Sequence, residues 1–185
     1  MENRIKVRRR TLFIWIGVIV VTLILYIVRP DLFDISFLRE NVSNHKAPVL
    51  LLYLTILTFI GLTVIPSTPF ALAGVLLFPP VTAYIINLIG IITSSIVVYY
   101  FTKYLRLDVW LESKYPAKIE KIKKALLKKE LPIIAGWSFF PLVPTDLIIY
   151  VSSTLNIPFW KCALGVLIGE GSLNAFYIFS IDFFI

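Results

Sequence analysis

Long apolar runs that are interrupted by paired prolines constrain the fold of this chain more than any other feature. Residues 11–28 and residues 47–101 contain no charged residue. Four of the eleven prolines form two pairs of equal spacing, Pro66 with Pro69 and Pro141 with Pro144. A membrane-spanning helix needs about 20 apolar residues, whereas a proline removes a backbone donor and breaks the helix that contains it. The pattern predicts an all-α polytopic membrane protein whose helices are interrupted inside the membrane.

The composition supports this class and excludes several others. The chain of 185 residues is 58% hydrophobic and 16% charged, whereas a soluble domain is about half apolar and about a quarter charged. Its single cysteine allows no intrachain disulfide, and its single histidine has no Cys or His at metal-ligand spacing. The sequence also lacks a phosphate-binding glycine loop and a nucleophile elbow. We therefore expect no metal, no cofactor and no enzymatic activity.

The basic residues predict the orientation of the chain. Five of them lie in residues 1–10 and nine in residues 103–130. Because cytoplasmic loops are enriched in Lys and Arg, both segments are expected in the cytoplasm. Residues 11–28 are then a retained helix that crosses outward, since no small-residue cleavage site follows them. The expected location is the plasma membrane.

Within the basic linker, Lys118–Lys129 has the pattern of an amphipathic helix. Ile119, Ile122 and Leu126 recur at helical spacing, and Lys residues occupy the other face. Such a helix is expected to lie on anionic lipid; a solvated cytoplasmic helix is the alternative. Membrane lipids are therefore the expected partner and nucleic acid is not. The sequence leaves open whether the protein forms a homo-oligomer.

Two opposed re-entrant hairpins bring the remaining segments into agreement with these orientations. If residues 47–64 and 81–101 both crossed the membrane, the basic linker would lie outside. A hairpin over residues 47–80 that enters and leaves from outside removes the conflict. A second hairpin, over Leu131–Ile157, would enter from the cytoplasm, and Phe159–Ser180 would be the last of about three full transmembrane helices. Irregular backbone at this depth must be covered by protein or line a cavity.

The two halves share a pattern at one constant spacing, which predicts an inverted repeat. The matching residues are Pro66 and Pro141, Pro69 and Pro144, Leu72 and Leu147, Gly90 and Gly165, and Phe101 and Phe176. One half starts outside and the other inside, which is the plan of many transporters.

The domain division follows from this repeat. Residues 1–46 are an N-terminal basic segment, anchor helix and outer loop. Residues 47–185 are the membrane domain, which consists of a first repeat (47–101), a basic linker (102–130) and a second repeat (131–185).

Two acidic residues are the main candidates for a site. Asp146 follows the prolines of the second hairpin, and Glu170 lies in the middle of the last span. An ionisable residue at membrane depth costs about 2.5–3.5 kcal/mol on insertion scales, so both are expected to face the protein interior and to bind or relay a proton or cation. The alternative for Asp146 or Thr145 is a helix N-cap. The hairpin tips are expected at Pro66, Pro69, Pro141, Pro144 and Thr145.

Polar and small residues near these acids are expected to complete the interior. Glu170 shares a helix face with Asn174, and its counterpart in the first repeat is Ser95, next to Ser94. Asn87 is a further polar group; these side chains could line one cavity or only bond across helices. Gly90, Gly165 and Gly169 are expected to allow close helix packing.

Several of these residues carry a resemblance to a known family. The block Pro141-x-x-Pro144-Thr145-Asp146-x-x-x-Tyr150, with Gly165 and Gly169 downstream, resembles the DedA/SNARE-associated Golgi protein family, which has the VTT domain. The pair Ala73-Gly74 fits its first hairpin, with Gly74 as a packing glycine. The resemblance covers roughly residues 60–175.

The resemblance implies two opposed re-entrant hairpins, and lipid scrambling or movement of polyprenyl-phosphate carrier lipids, in some members coupled to protons or sodium. The chain departs from the family at two points. Trp137-Ser138-Phe139 stands where many members have an arginine, and the first tip, Pro66-Ser67-Thr68-Pro69, has no acid.

The favoured hypothesis is a lipid translocator. A proton- or cation-coupled exporter of a small solute, and a membrane scaffold without transport activity, are the alternatives.

Overall fold

The computed structural model describes residues 9–29, 46–63, 65, 67–126, 129–141 and 143–180, and these residues form helices, turns and loops without a strand. The helices are α1 (Arg9–Val28), α2 (Lys46–Ile60), α3 (Thr68–Leu77), α4 (Pro80–Leu105), α5 (Leu107–Lys114), α6 (Pro116–Leu126), α7 (Glu130–Ser138), α8 (Thr145–Thr154) and α9 (Phe159–Ser180). A 3₁₀ turn, Gly61–Thr63, continues α2.

Two helices, α4 and α9, are long and apolar enough to cross a membrane. They contain 26 and 22 residues, and a rise of about 1.5 Å per residue makes each of them at least as long as the hydrocarbon core is thick. Shorter apolar segments are Arg10–Val21, Ala47–Thr63 and Thr68–Leu77. The predicted all-helical class is confirmed for the described residues. The crossing by residues 11–28 and the re-entrant paths stay predictions.

Pro69, from the first proline pair, lies where the first half changes direction. Pro69 is in the first turn of α3, where a missing backbone N–H costs nothing, and Pro66 lies outside the described residues. Beyond this break α3 folds back beside α2, so that the Tyr53 hydroxyl lies 2.8 Å from the carbonyl oxygen of Phe70. The first half is therefore a helical hairpin.

The second proline pair also separates two short helices. Helix α7 ends at Ser138, Pro141 is in the connecting turn, and Pro144 occupies the N-cap position of α8. Ile134 of α7 belongs to the same apolar cluster as Ile149 of α8. A proline thus lies at the start of the helix after each break, Pro69 at α3 and Pro144 at α8, and apolar contacts join the two arms of the second break.

The long helices connect the halves. Helix α4 packs on α2 of its own half and on α8 of the other, while α9 packs on α7 of its own half and on α3 and α4 of the other. Three of the glycines named from the sequence lie at these contacts. A Cβ at Gly90 would be 2.8 Å from Leu57 Cβ, one at Gly165 would be 2.7 Å from Ile134 Cγ2, and one at Gly169 would collide with the carbonyl oxygen of Ala135.

Charged residues gather at one end of these helices. Lys103 Nζ lies 2.9 Å from Asp108 Oδ2 and also bonds the side-chain oxygen of Asn156, beyond the end of α8. Lys161, at the start of α9, lies 3.5 Å from Glu130 Oε1 at the start of α7. The beginning of the basic linker therefore lies at the same end of the bundle as the start of α9.

Helix α6 includes most of the predicted amphipathic stretch and turns part of its apolar face toward protein. Ile119 is buried in an apolar cluster against which Leu111 and Leu126 also pack, whereas Ile122 is 45% exposed. Two residues of the predicted helix, at positions 127 and 128, lie outside the described residues. Helix α6 therefore leaves Ile122 and the side chains of Lys118, Lys121 and Lys124 exposed.

Candidate functional site

Asp146 and Glu170 line one internal cavity of about 20 Å³. Asp146 comes from the first turn of α8 and Glu170 from the middle of α9, and the two residues are 5% and 7% exposed. A cavity of this volume has room for a water molecule. Its polar lining residues are Ser67, Asn87, Ser94, Ser95, Asp146, Glu170 and Asn174.

The Asp146 carboxylate is held by a residue of the other half. Ser94 Oγ of α4 donates a hydrogen bond of 3.0 Å to Asp146 Oδ1. The N-cap position of α8 belongs to Pro144, which has no side-chain acceptor, and Asp146 lies within the first helical turn. A carboxylate there faces the positive end of the helix dipole. Asp146 thus combines a dipole interaction with a bond across the halves.

Gly61 completes the surroundings of Asp146. A Cβ on this residue would collide with both Asp146 Oδ1 and Ser94 Oγ. The 3₁₀ turn that follows α2 therefore lies directly against the Asp146–Ser94 pair, and any side chain at position 61 would displace one of them. The sequence reasoning did not identify Gly61, because nothing in the sequence separates a glycine of close approach from one of helix packing.

The Glu170 carboxylate is also held from the opposite half. Ser67 Oγ, at the start of α3, donates a hydrogen bond of 2.7 Å to Glu170 Oε1, and the Thr145 side chain also interacts with this carboxylate. Asn174 Nδ2 donates to the backbone oxygen of Glu170 at 3.0 Å, one turn along the same face. Lys161, nine residues earlier on the same helix, pairs with Glu130.

An amide and phenol network extends the site toward α2. Asn87 Nδ2 lies 3.2 Å from Asn174 Oδ1 and 3.0 Å from the carbonyl oxygen of Ala71. The Tyr53 hydroxyl lies 2.8 Å from Asn87 Oδ1, and a Cβ on Gly74 would be 3.3 Å from that same oxygen atom. The network thus connects α2, α3, α4 and α9 around one end of the cavity.

The two hairpin tips touch each other beside this cavity. Thr68 Oγ1, at the start of α3, donates a hydrogen bond of 3.2 Å to the carbonyl oxygen of Pro141. Together with the Ser67–Glu170 and Ser94–Asp146 bonds, this contact makes the interface reciprocal. The short helix that follows each break begins against the long helix of the other half.

The described lining of the cavity is acidic and neutral. It contains Asp and Glu carboxylates, hydroxyls and amides, and no Lys or Arg. Within the described ranges, no group of three His, Cys, Asp or Glu side chains is arranged to hold a metal ion. The arrangement can therefore accept hydrogen bonds from water, bind a cationic group, or exchange a proton between its two acids.

The comparison with protein families finds a match that covers more than half of the chain. The model of the VTT domain matches residues 65–183, which include both acids, all four tip prolines and the whole of both long helices. No curated protein and no solved structure matches the chain. Because the match covers more than half of the sequence, the chain belongs to the VTT-domain family, the DedA/SNARE-associated Golgi family of membrane proteins.

Proposed function

We propose that the protein moves phospholipid between the two leaflets of its membrane, and that the head group passes through the polar cavity at the contact of the two tips. The observation that carries the proposal is the pair of buried acids, each bonded to a serine of the opposite half beside a tip-to-tip hydrogen bond. Membership of the VTT-domain family supports a membrane role. An acid buried within a membrane protein is costly and marks a functional path.

In this proposal the hairpins α2–α3 and α7–α8 are re-entrant loops from opposite faces. Their tips meet in the interior, as the broken helices of inverted-repeat transporters do. The closed cavity holds about one water molecule, so the tips would have to move apart before a head group enters. The head group would then replace the hydrogen bonds of Ser67 and Ser94 with its own, while its acyl chains stay in the bilayer. Asp146 and Glu170 would bind a cationic group or relay a proton during this exchange.

The charge of the lining favours an ordinary phospholipid over a polyprenyl-phosphate carrier. A phosphate that crosses without a counter-charge would need a Lys or Arg near the path, and the described lining has none. The two carboxylates instead suit the ammonium group of a zwitterionic head group. Anionic head groups would meet two like charges, which is destabilising in a low-dielectric interior.

We further propose a plasma-membrane location, with the N-terminus and the basic linker in the cytoplasm. The positive-inside rule supports this orientation. The Lys residues of α6 would then contact the anionic lipids of the inner leaflet.

Reconstitution in vesicles tests the proposal. The purified protein is placed in phosphatidylcholine vesicles with a trace of fluorescent phospholipid, and dithionite is added outside. With active protein the dithionite bleaches more than the outer-leaflet half of the dye. Asp146→Asn and Glu170→Gln are expected to slow this extra bleaching by about tenfold or more, the equivalent of one lost charge-assisted interaction.

Glu120→Gln is the matched control, because Glu120 is an exposed acid on α6 that pairs with Lys124 at 2.7 Å. It should leave the bleaching rate unchanged. Bleaching that stops at the outer leaflet with wild-type protein would overturn phospholipid transfer and would favour the solute exporter. Equal bleaching rates for the wild type, Asp146→Asn and Glu170→Gln would show that neither acid takes part in lipid transfer.

A further inference from the structure

The end of α2 leaves backbone carbonyl groups that no further helical turn can bond. The last four carbonyls of any helix lack a partner within the helix, and leaving such a group unbonded in an apolar environment is strongly destabilising. The carbonyl of Ile60, the last residue of α2, is bonded locally, since Thr63 Oγ1 donates to its oxygen at 2.6 Å. The carbonyls of the next two residues, Gly61 and Leu62, receive donors from other parts of the chain.

Tyr150 and Trp15 supply these two donors. The Tyr150 hydroxyl of α8 donates to the carbonyl oxygen of Gly61 at 3.4 Å, and Trp15 Nε1 of α1 donates to that of Leu62 at 2.9 Å. The two aromatic rings also contact each other, with centroids 5.3 Å apart. The turn is therefore held by side chains from the second half and from the N-terminal helix.

Trp15 lies on the half-buried face of α1, together with Thr11, Leu12 and Ile19. Its ring packs on Phe101 of α4, with centroids 5.7 Å apart. The neighbouring Phe13 and Ile14 are 69% and 59% exposed. The helix packs on the Gly61–Thr63 turn, so this tryptophan is a main point of attachment for α1.

The turn in question touches the candidate site. Gly61 lies so close to Asp146 and Ser94 that no Cβ fits between them, and Ile60, one residue earlier, lines the cavity. A shift of the turn away from α8 would open the cavity on this side. A firmly held turn keeps it closed.

We propose that Trp15 is a positioning residue, by which α1 clamps the Gly61–Thr63 turn against Asp146. The indole N–H fixes the Leu62 carbonyl and the ring braces Tyr150, which fixes the Gly61 carbonyl. Position 15 lies outside residues 65–183, the part matched by the VTT-domain model. The clamp is thus supplied to the domain by the segment before it, and it does not depend on what the cavity transports.

Hydrogen–deuterium exchange in nanodiscs tests the clamp. Trp15→Phe keeps an aromatic ring but removes the N–H donor. Amide exchange in the peptide that covers residues 57–65 is expected to rise by about fivefold or more, because the turn opens more often, with exchange in α9 unchanged. Trp110→Phe, on α5, is the matched control and should leave residues 57–65 unchanged.

Exchange of residues 57–65 at the wild-type rate in Trp15→Phe would overturn the proposal. So would an equal rise in every helix, which would give Trp15 a general role in stability. Faster exchange of residues 57–65 in Trp15→Phe, together with no lipid transfer by the wild type, would refute the proposed function and support the clamp. Lipid transfer by the wild type, with no change in that exchange, would support the proposed function and refute the clamp.

A second measurement leaves Trp15 in place. In a protein with Trp110, Trp137 and Trp160 changed to Phe, brominated acyl chains should quench Trp15 weakly, because its ring faces Tyr150 and Phe101. The matched protein carries Phe13→Trp and Trp15→Phe, which moves the indole to an exposed position on the same helix. Equal quenching of the two proteins would overturn the clamp.

Discussion

At the scale of single residues, Gly61 is the position where one methyl group should do most harm to the site. In Gly61→Ala the new Cβ would collide with Asp146 Oδ1 and Ser94 Oγ. Overpacking of this kind costs about 1–3 kcal/mol, so the free energy of unfolding should fall by that amount. Thermal unfolding in detergent measures it.

Gly136→Ala is the control, since a Cβ there meets no atom within 4 Å and replaces a glycine inside a helix. It should leave stability unchanged or raise it by up to about 1 kcal/mol. If Gly61→Ala unfolds at the wild-type temperature, the close approach of the turn to Asp146 is contradicted.

The two acids could be proposed as site residues from the sequence, because a carboxylate within an apolar span is energetically costly and is therefore rarely present without a role. Asn87, Ser94, Ser95 and Asn174 could be named as neighbours of a cavity for the same reason. Which of these residues bonds which acid could not be predicted. Ser67 holds Glu170, but a serine between two prolines is equally typical of any turn. The short-range sequence pattern carries no information on which half supplies each partner.

At the scale of the elements, the contact of α7 with α9 depends on a missing side chain. In Gly169→Ala the Cβ would collide with the backbone carbonyl of Ala135, which can move only if α7 moves. We expect a loss of about 1–3 kcal/mol in the free energy of unfolding, again measured by thermal unfolding.

Gly171→Ala, two residues further along α9, is the comparison. Its Cβ would be 3.2 Å from Leu88 Cδ2, the end of a flexible side chain that can shift aside. It should cost much less than Gly169→Ala. An equal effect of the two substitutions would argue against tight backbone packing of α7 on α9.

The helix breaks were the most predictable elements. Pro69 and Pro144 lie at the starts of α3 and α8, because proline fits the first turn of a helix and cannot continue a preceding one. The attachment of α1 through Trp15 was not predicted. An apolar helix with one tryptophan has the same composition whether that ring faces lipid or protein, so only the tertiary contacts distinguish the two.

At the scale of the whole molecule, the orientation of the bundle is the open prediction of most consequence. A single cysteine at Ser113, in a Cys162→Ala protein, would report the side on which the basic linker lies. Ser113 is on α5, in an exposed position. A membrane-impermeant maleimide should label it only after the cells are opened, because the linker is expected in the cytoplasm. Labelling of intact cells would contradict the topology.

The class of the molecule followed from hydropathy and proline spacing, and the VTT-domain match agrees with it. Hydropathy cannot show how deeply a segment enters the membrane or whether it crosses it. Residues 47–63 and 68–77 are apolar whether they cross the membrane or return to the same face, since both paths bury the same side chains. The reciprocal contacts of α3 with α9 and of α8 with α4 are properties of the folded chain alone.

The measurement that tests the central claim most directly is chemical block of the cavity itself. Ser95 lines the cavity, is 1% exposed, and its hydroxyl donates to the Ile91 carbonyl of its own helix, so Ser95→Cys in a Cys162→Ala protein should still fold. A small thiol-specific methanethiosulfonate is added to vesicles, modification is verified by mass spectrometry, and lipid transfer is followed with dithionite. The account predicts that modified protein stops transferring lipid and recovers after reduction. Transfer at the unmodified rate by fully modified protein would show that the head group takes another route.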